Sequence, residues 1–400
     1  MAPSEYSVPL RVTHVITRLI IGGAQENTAS SVLGLHQKPE LSVRLISGPT
    51  HGSEGSLEHL FAHHPGLLQV LPTLVRPVQP GKDLRALLHL TKTFQIERPH
   101  IVHTHSSKAG ILGRLAAARA RVPVIIHTIH GPSFGSFQDA VPNFFYRAAE
   151  RFAARVTTHF VSVAQAMTEQ YLAAAIGNPK QYSRIFSGFD LQPFLCATND
   201  LALREKLRIA RDEIVVGKIA RLFELKGHDD LIDAAPDLLK SCPRLKFLFV
   251  GDGPWKQRLE QKIHSLGLES QFVFSGLLQP EQVPKYLGLM DILVHLSRRE
   301  GLPRALPQAL AAGKPVIAFD CDGAREICLE NETGFLVPIG DRASFTSRLL
   351  QLANDPGLRE QFGRRGREIV RKDFATQRMV DDLHALYLRL VSKSASEPKS

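Results

Sequence analysis

The segment Ser297–Ala318 reads SRREGLPRALPQALAAGKPVIA. It follows the apolar run DILVHL, Asp291 to Leu296, which has the length and composition of a buried parallel strand. A polar turn with Glu300, Gly301 and Leu302 comes next, then a short helix with Leu306, Ala309 and Leu310 on one face. Gly313 ends that helix and Pro315 opens the next strand, PVIAF. Strand, glycine turn and helix N-terminus together offer unpaired N–H groups and a partial positive charge to an anion. Glu300 sits beside that position. A carboxylate repels phosphate, so its natural ligands there are hydroxyls, such as those of a sugar attached to a phosphate. The same residue also reads as a capping acid on a core helix.

The second half repeats this pattern. Ile214–Ala220 is a strand, Arg221–Gly227 (RLFELKG) a loop and His228–Leu239 a helix. Lys246–Val250 is a strand turned by GDGP, and Gln271–Ser275 and Gly334–Pro338 are further strands. The first half alternates likewise: strands at Arg11–Thr17, Val43–Ser47, Ile101–Thr104, Pro123–Thr128, His159–Val163 and Ser183–Phe186, with helices between them. Repeated βα units predict α/β architecture, with parallel sheets covered on both faces. SGFDLQP, Ser187 to Pro193, is turn-rich and marks an interdomain junction. The expected division is 1–190, 191–375, a helix over 376–392, and a disordered tail over 393–400.

The 400 residues suit two or three domains, and 44% hydrophobic with 22% charged is ordinary for a globular chain. No run has the length of a membrane span, and MAPSEYSVPL is not a secretory signal. The four cysteines lack metal-ligand spacing and disulfide density, which fits a reducing cytoplasm. Net charge is +10, concentrated in the first half: residues 1–190 hold 18 basic and 11 acidic side chains, against 31 and 28 in 191–400. That excess favours anionic partners such as nucleotide phosphates or anionic lipid. Nucleic acid fits poorly, because no basic strip interleaved with aromatics is present.

Several motifs carry chemistry. Gly22 and Gly23 lie between the first strand and first helix, where backbone can approach an anion or simply turn tightly. Arg221 and Lys226, five apart on one loop, can converge on a diphosphate or form a solvated basic loop. His103, His105, His127 and His130 stand at two strand ends without a zinc-like set. One or two of them read as site residues and the rest as hydrogen-bonded structural groups. Asp320 and Asp322 form a DxD that reads as a turn and cap, not a metal site. Phe134, Phe137, Phe144, Phe145, Tyr146, Arg147, Arg151 and Arg155 form an aromatic and basic region. It reads as a buried helix face with a solvated basic side, and otherwise as a surface for a membrane or an acceptor. The dinucleotide fingerprint and the Walker A sequence are both absent.

Taken together, GGAQ at Gly22, HTIHG at His127, SGFD at Ser187, RLFELKG at Arg221, VGDGP at Val250, FSG at Phe274 and REGLPRALPQALAAGKPVIA at Arg299 run in one order along most of the chain. In this the sequence resembles the retaining glycosyltransferases of family four. That resemblance implies a GT-B fold, two Rossmann-like doubly wound sheets facing across a cleft, the first for the acceptor and the second for the donor. It implies that Arg221 and Lys226 neutralise a departing nucleoside diphosphate and that Glu300 holds donor-sugar hydroxyls. Gly22, Gly23, Gly251, Leu277, Gly301, Leu302 and Gln308 would complete the donor site, and His130 would address the donor sugar. No metal and no cofactor are implied. The helix from Thr376 would pack back on the first domain.

One position departs from the family, which usually carries two glutamates with seven residues between them. Glu300 is the first, and Gln308 stands where the second binds ribose hydroxyls. Glutamine still accepts and donates but loses the charge-assisted part, roughly 1 kcal/mol. No carboxylate pair suits a covalent two-step route. The implied reaction is same-face transfer of a sugar from a nucleotide-diphosphate sugar to a hydroxyl of a lipid-linked or cell-surface glycan. The expected location is the cytoplasm, at the inner membrane face for a lipid-linked acceptor. A nucleotide-sugar epimerase or hydrolase, and an inactive nucleotide-sugar-binding protein, are the competing readings.

Overall fold

The computed structural model describes residues 9–50, 55–135 and 138–396. The chain forms two compact units: one holds the sequence up to Phe189 together with the stretch from Thr376 onward, the other Asp190–Ala375.

The first unit carries a seven-stranded parallel sheet. Its strands are β1 (Leu10–Ile16), β2 (Leu41–Ser47), β3 (Leu68–Val70), β4 (Ile101–His105), β5 (Val124–Ile129), β6 (His159–Ser162) and β7 (Tyr182–Arg184), in spatial order 3-2-1-4-5-6-7. β1, β4 and β5 are buried on both faces, which is why they read as apolar runs rather than alternating ones. One face packs on the C-terminal helix Thr376–Ser396, which puts Met379, Val380, Leu383, Leu386, Tyr387 and Leu390 into the core beside Val12, Val43, Ile101 and Ile126. The other face packs on helices Pro80–Glu97 and Ser107–Arg119 through Ala86, Leu90, Phe94, Ala109 and Ala116.

The second unit has a six-stranded sheet, again parallel: β8 (Ile214–Ile219), β9 (Leu245–Val250), β10 (Phe272–Phe274), β11 (Ile292–His295), β12 (Val316–Phe319) and β13 (Gly334–Val337), in order 10-9-8-11-12-13. Strand order reverses between β1 and β4 in one sheet and between β8 and β11 in the other. Such switch points, at the carboxyl ends of the strands, are where open α/β sheets take ligands.

One expectation needs correction, and two elements were not expected. The tail is helical through Ser396, because no helix breaker follows Thr376 before Pro398. Residues 397–400 lie outside the described residues. The edge strand β3 and the helix Gln165–Ala173 go unannounced by the sequence. Both are short, and β3 lies among prolines and glycines that read as loop.

Candidate active site

The second unit's switch point is built by the loops after β8 and β11. Gly227 closes the first loop with φ 66°, and a Cβ there would lie 1.9 Å from the Leu296 carbonyl oxygen. Only glycine lets this loop lie so close to the end of β11. Leu225, at φ 67°, is also left-handed, a costly conformation for a γ-branched residue. The Arg298 amide donates to the Leu225 carbonyl at 2.8 Å, tying the two loops.

The result is an ion pair between Lys226 and Glu300, 74 positions apart in sequence and each about three-quarters shielded. The Ser297 hydroxyl donates to Glu300 Oε1 at 3.0 Å, and His295 Nε2 lies 3.5 Å from the same oxygen. The Glu300 amide donates to Asp322 Oδ2 at 2.8 Å. Burial alone would raise the Glu300 carboxyl, but the Lys226 charge and His295 outweigh it and hold the group well below the usual carboxylate range. Glu300 is thus a fixed anion, an acceptor for hydroxyls. Lys226 sits beside it as a cation that can turn to a phosphate.

Behind this pair Lys218 on β8 is fully buried, and its ammonium has no hydrogen-bond partner among the described residues. Burial, helped by the Lys226 charge, pushes it down to about 7. The unfolded chain therefore binds the extra proton between about pH 7 and the ordinary lysine value. Over that window stability rises with pH, and at and below pH 7 the full penalty is present. Lys218→Met is expected to stabilise the protein by on the order of 2 kcal/mol at pH 7. Denaturant melts at pH 7 and above pH 10 should show that advantage shrinking as pH rises; an advantage unchanged across the window would refute the account.

The other predicted positions are placed as follows. Arg221 is exposed, its guanidinium 5.4 Å from the centre of the Phe223 ring. Gly301 and Leu302 are buried in the turn, and the Gly301 carbonyl accepts from the Gly323 amide. Gln308 lies half-buried in the helix Ala305–Ala311, and Pro307 falls in its first turn, where the missing N–H breaks no bond. The Gly251 amide is spent on the Gly276 carbonyl at 3.0 Å, and a Cβ at 251 would lie 2.2 Å from the Ala220 carbonyl oxygen. Close backbone packing therefore accounts for that glycine. Leu277 is exposed on the loop after β10. The DxD acts as turn and cap: Asp320 holds Arg325 through two bonds of 2.9 Å, and Asp322 caps the Glu300 amide.

In the first unit Gly22 caps the helix Gly23–His36, its carbonyl accepting from the Glu26 amide. The loops after β1 and β4 meet through the Thr17 and Ser106 hydroxyls, 2.7 Å apart. His103, His105 and His127 are buried, and His130 is half-buried with Nε2 3.2 Å from His105 Nδ1. His127 packs against Gly110, where a Cβ would lie 2.5 Å from the ring. Burial keeps these inner rings neutral: His14, His103, His105 and His127 are all held well below the ordinary histidine value. The sequence reading missed His14, Tyr387, Lys218 and His295. A polar residue inside an apolar strand was the available signal for His14, Lys218 and His295.

The aromatic and basic region is corrected. Phe134 is buried against Tyr171, but on the helix Ala140–Ala154 the side chains of Val141, Phe144, Phe145 and Phe152 are 55–66% exposed. The face turned inward carries Glu150, Ala153 and Ala154. The inward residues are small or ion-paired, so the rings are left outside. Phe137 lies outside the described residues.

These two sheets, each with its loops gathered at a switch point, have the architecture of the GT-B fold. The chain matches "Glycosyl transferase 4-like domain" over residues 22–182 and "Glycosyl transferases group 1" over 199–369, and it belongs to that family. It is 29% identical over 390 residues to the UDP-Gal:alpha-D-GlcNAc-diphosphoundecaprenol alpha-1,3-galactosyltransferase of Escherichia coli, covering 96% of this chain and 97% of that protein. It is 24% identical over 364 residues to the capsular polysaccharide biosynthesis glycosyltransferase CapM of Staphylococcus aureus, covering 90% and 92%. The crystal structure of Anabaena HepE in complex with UDP and glucose shares the fold, with a TM-score of 0.79 and 21% identity over 95% of this chain and 100% of that one.

Proposed function

We propose that this glycosyltransferase moves a hexose from a uridine-diphosphate sugar to a hydroxyl of a lipid-linked glycan, with retention and without a metal. The observation that carries the reading is the Lys226–Glu300 pair at the second sheet's switch point. It offers one fixed acceptor for sugar hydroxyls and one cation for the leaving diphosphate. As the sugar–phosphate bond breaks, positive charge grows on the anomeric carbon and negative charge on the diphosphate. Lys226 and Arg221 stabilise the latter, which is the work a metal does elsewhere. The leaving phosphate takes the acceptor hydroxyl's proton on the face it departs from. The uridine and the lipid-linked acceptor are drawn from the Escherichia coli relative's named substrates. Gly22 and Gly23 at a helix N-terminus would face the diphosphate, His130 the donor sugar, and Gln308 the ribose.

The test is a thermal-shift panel of UDP, GDP and ADP, each alone and with an attached hexose, followed by transfer to polyprenyl-diphosphate-linked acceptors. A ligand present at a hundred times its Kd should stabilise by about 2.7 kcal/mol. A selective rise with one UDP-sugar and transfer from it are expected. No shift with any nucleotide sugar at millimolar concentration would overturn the donor assignment.

Membrane contact belongs to the same proposal. Among the described residues no helix is long and apolar enough to cross a membrane. The exposed stripe of Val141, Phe144, Phe145 and Phe152, flanked by Arg151 and Arg155, instead suits a helix lying on an anionic bilayer surface. Phe144→Ala with Phe145→Ala is expected to cut sedimentation with phosphatidylglycerol vesicles about tenfold or more. Equal sedimentation of the double variant and the parent would exclude this helix as the contact.

A further inference from the structure

Behind His130 runs an unbroken line of buried polar contacts. The Thr128 hydroxyl lies 2.6 Å from His103 Nε2, and His103 Nδ1 lies 2.5 Å from the Tyr387 hydroxyl. That hydroxyl is 3.3 Å from His14 Nε2. His14 Nδ1 is 2.9 Å from His105 Nε2, and His105 Nδ1 is 3.2 Å from His130 Nε2. β1 and β4 create the core of this line, since their register sets His14 directly beside His103. The C-terminal helix supplies Tyr387.

A neutral imidazole has one N–H and one lone pair, so a ring using both nitrogens donates at one and accepts at the other. Fixing one proton in such a line fixes every other, provided the Tyr387 hydroxyl donates to one ring and accepts from the other; accepting from both would leave its own buried hydrogen unpaired. Two directions then exist. In one, Thr128 accepts from His103, and the hydroxyl hydrogen of Thr128, itself buried, has no acceptor among the described residues. An unpaired buried donor of that kind is the expensive arrangement. In the other, Thr128 donates to His103, His103 to Tyr387, Tyr387 to His14, His14 to His105, and His105 to His130 Nε2. Every hydrogen from Thr128 to His105 then has an acceptor within the line.

We propose that this relay, directed by Thr128 and Tyr387, holds His130 in the tautomer with its hydrogen on Nδ1, so that His130 presents a donor to an acceptor oxygen of its ligand. Thr128, His103, Tyr387, His14 and His105 are positioning residues that act through His130. The burial that keeps the inner rings uncharged preserves the line across neutral pH. The relay is a property of the first unit alone; only its kinetic consequence rests on the reading of His130 as the residue at the donor sugar.

The test is 15N NMR of the full-length protein with labelled histidine, the His130 signal being identified by its loss in His130→Asn. The parent is expected to show a single His130 tautomer, protonated at Nδ1. Thr128→Val should mix the two tautomers and Thr128→Ser should restore the single one. Tyr387→Phe, which breaks the line at its middle, should also mix them and serves if Thr128→Val fails to fold. A parent protonated at Nε2, or a His130 signal unmoved by both Thr128→Val and Tyr387→Phe, overturns the relay. So does stoichiometric zinc on His14, His103 and His105 after incubation with the metal, because ligand nitrogens of these rings come within 4.8 Å of one another and coordination would consume the line. In the transfer assay Thr128→Val should lower kcat/KM for the donor about tenfold, the worth of one hydrogen bond. A tautomer switch without that loss would leave the relay standing and refute His130 as the residue at the donor sugar.

Discussion

Glu300→Ala is expected to lower turnover about a thousandfold while leaving the fold intact. The carboxylate is held ionised by Lys226 and His295 and anchored by Ser297. In the proposed reaction it would therefore meet sugar hydroxyls already oriented and at no cost of reorganisation, the condition under which a fixed charge contributes most. Its removal also leaves Lys226 without its counter-charge, free to relocate away from where the proposed diphosphate would leave. Lys226 is a quarter exposed, so solvent takes up its charge and the melting temperature should move little. Glu300→Gln keeps an acceptor and should fall between the two. Steady-state rates beside thermal melts decide the matter: near-normal turnover in Glu300→Ala would remove this pair from the site.

The second large effect is on stability. Arg114 and Glu150 are 0% and 1% exposed, joined at 2.6 Å, and link the helix Ser107–Arg119 to the helix Ala140–Ala154. Arg114 also donates to the Gly110 carbonyl at 2.8 Å and lies over the Phe160 ring. Arg114 bonds Glu150 Oε2, and Glu150 Oε1 has no hydrogen-bond partner among the described residues. Removing the cation would leave a buried carboxylate unpaired, so Arg114→Ala should destabilise the first unit by about 3–5 kcal/mol. Replacing both together, Arg114→Met with Glu150→Leu, should recover most of that loss, because two apolar chains of similar volume carry no desolvation penalty. Denaturant midpoints of the single and double variants measure the difference. A double variant no more stable than Arg114→Ala would show that the pair acts through packing rather than charge.

Much of the fold was legible because parallel strands buried on both faces are continuous apolar runs. DILVHL, IVVGKIA and LKFLFV announce themselves without any partner being known. Loop motifs were legible for a related reason: Gly227 has to be glycine where a Cβ would meet the Leu296 carbonyl. What could not be read was pairing at a distance. Nothing local in RLFELKG says that Lys226 will meet Glu300. Nothing in THVIT says that His14 will lie beside His103, since that depends on the register of β1 against β4. The aromatic helix misled in the opposite way. Phe144 and Phe145 suggested a buried face, but the inward side of that helix was already filled by Glu150, Ala153 and Ala154.

The C-terminal helix gives the protein an order of assembly. It supplies a wall of the first unit's core, yet it is synthesised after the whole of the second unit. On the ribosome the second unit has all of its residues while β1, β2 and β4 still lack Leu383, Leu386 and Tyr387 to cover them. The half made first is thus the half completed last. Its apolar sheet face stays open to chaperones, or to unwanted strand partners, for as long as translation of the intervening half takes.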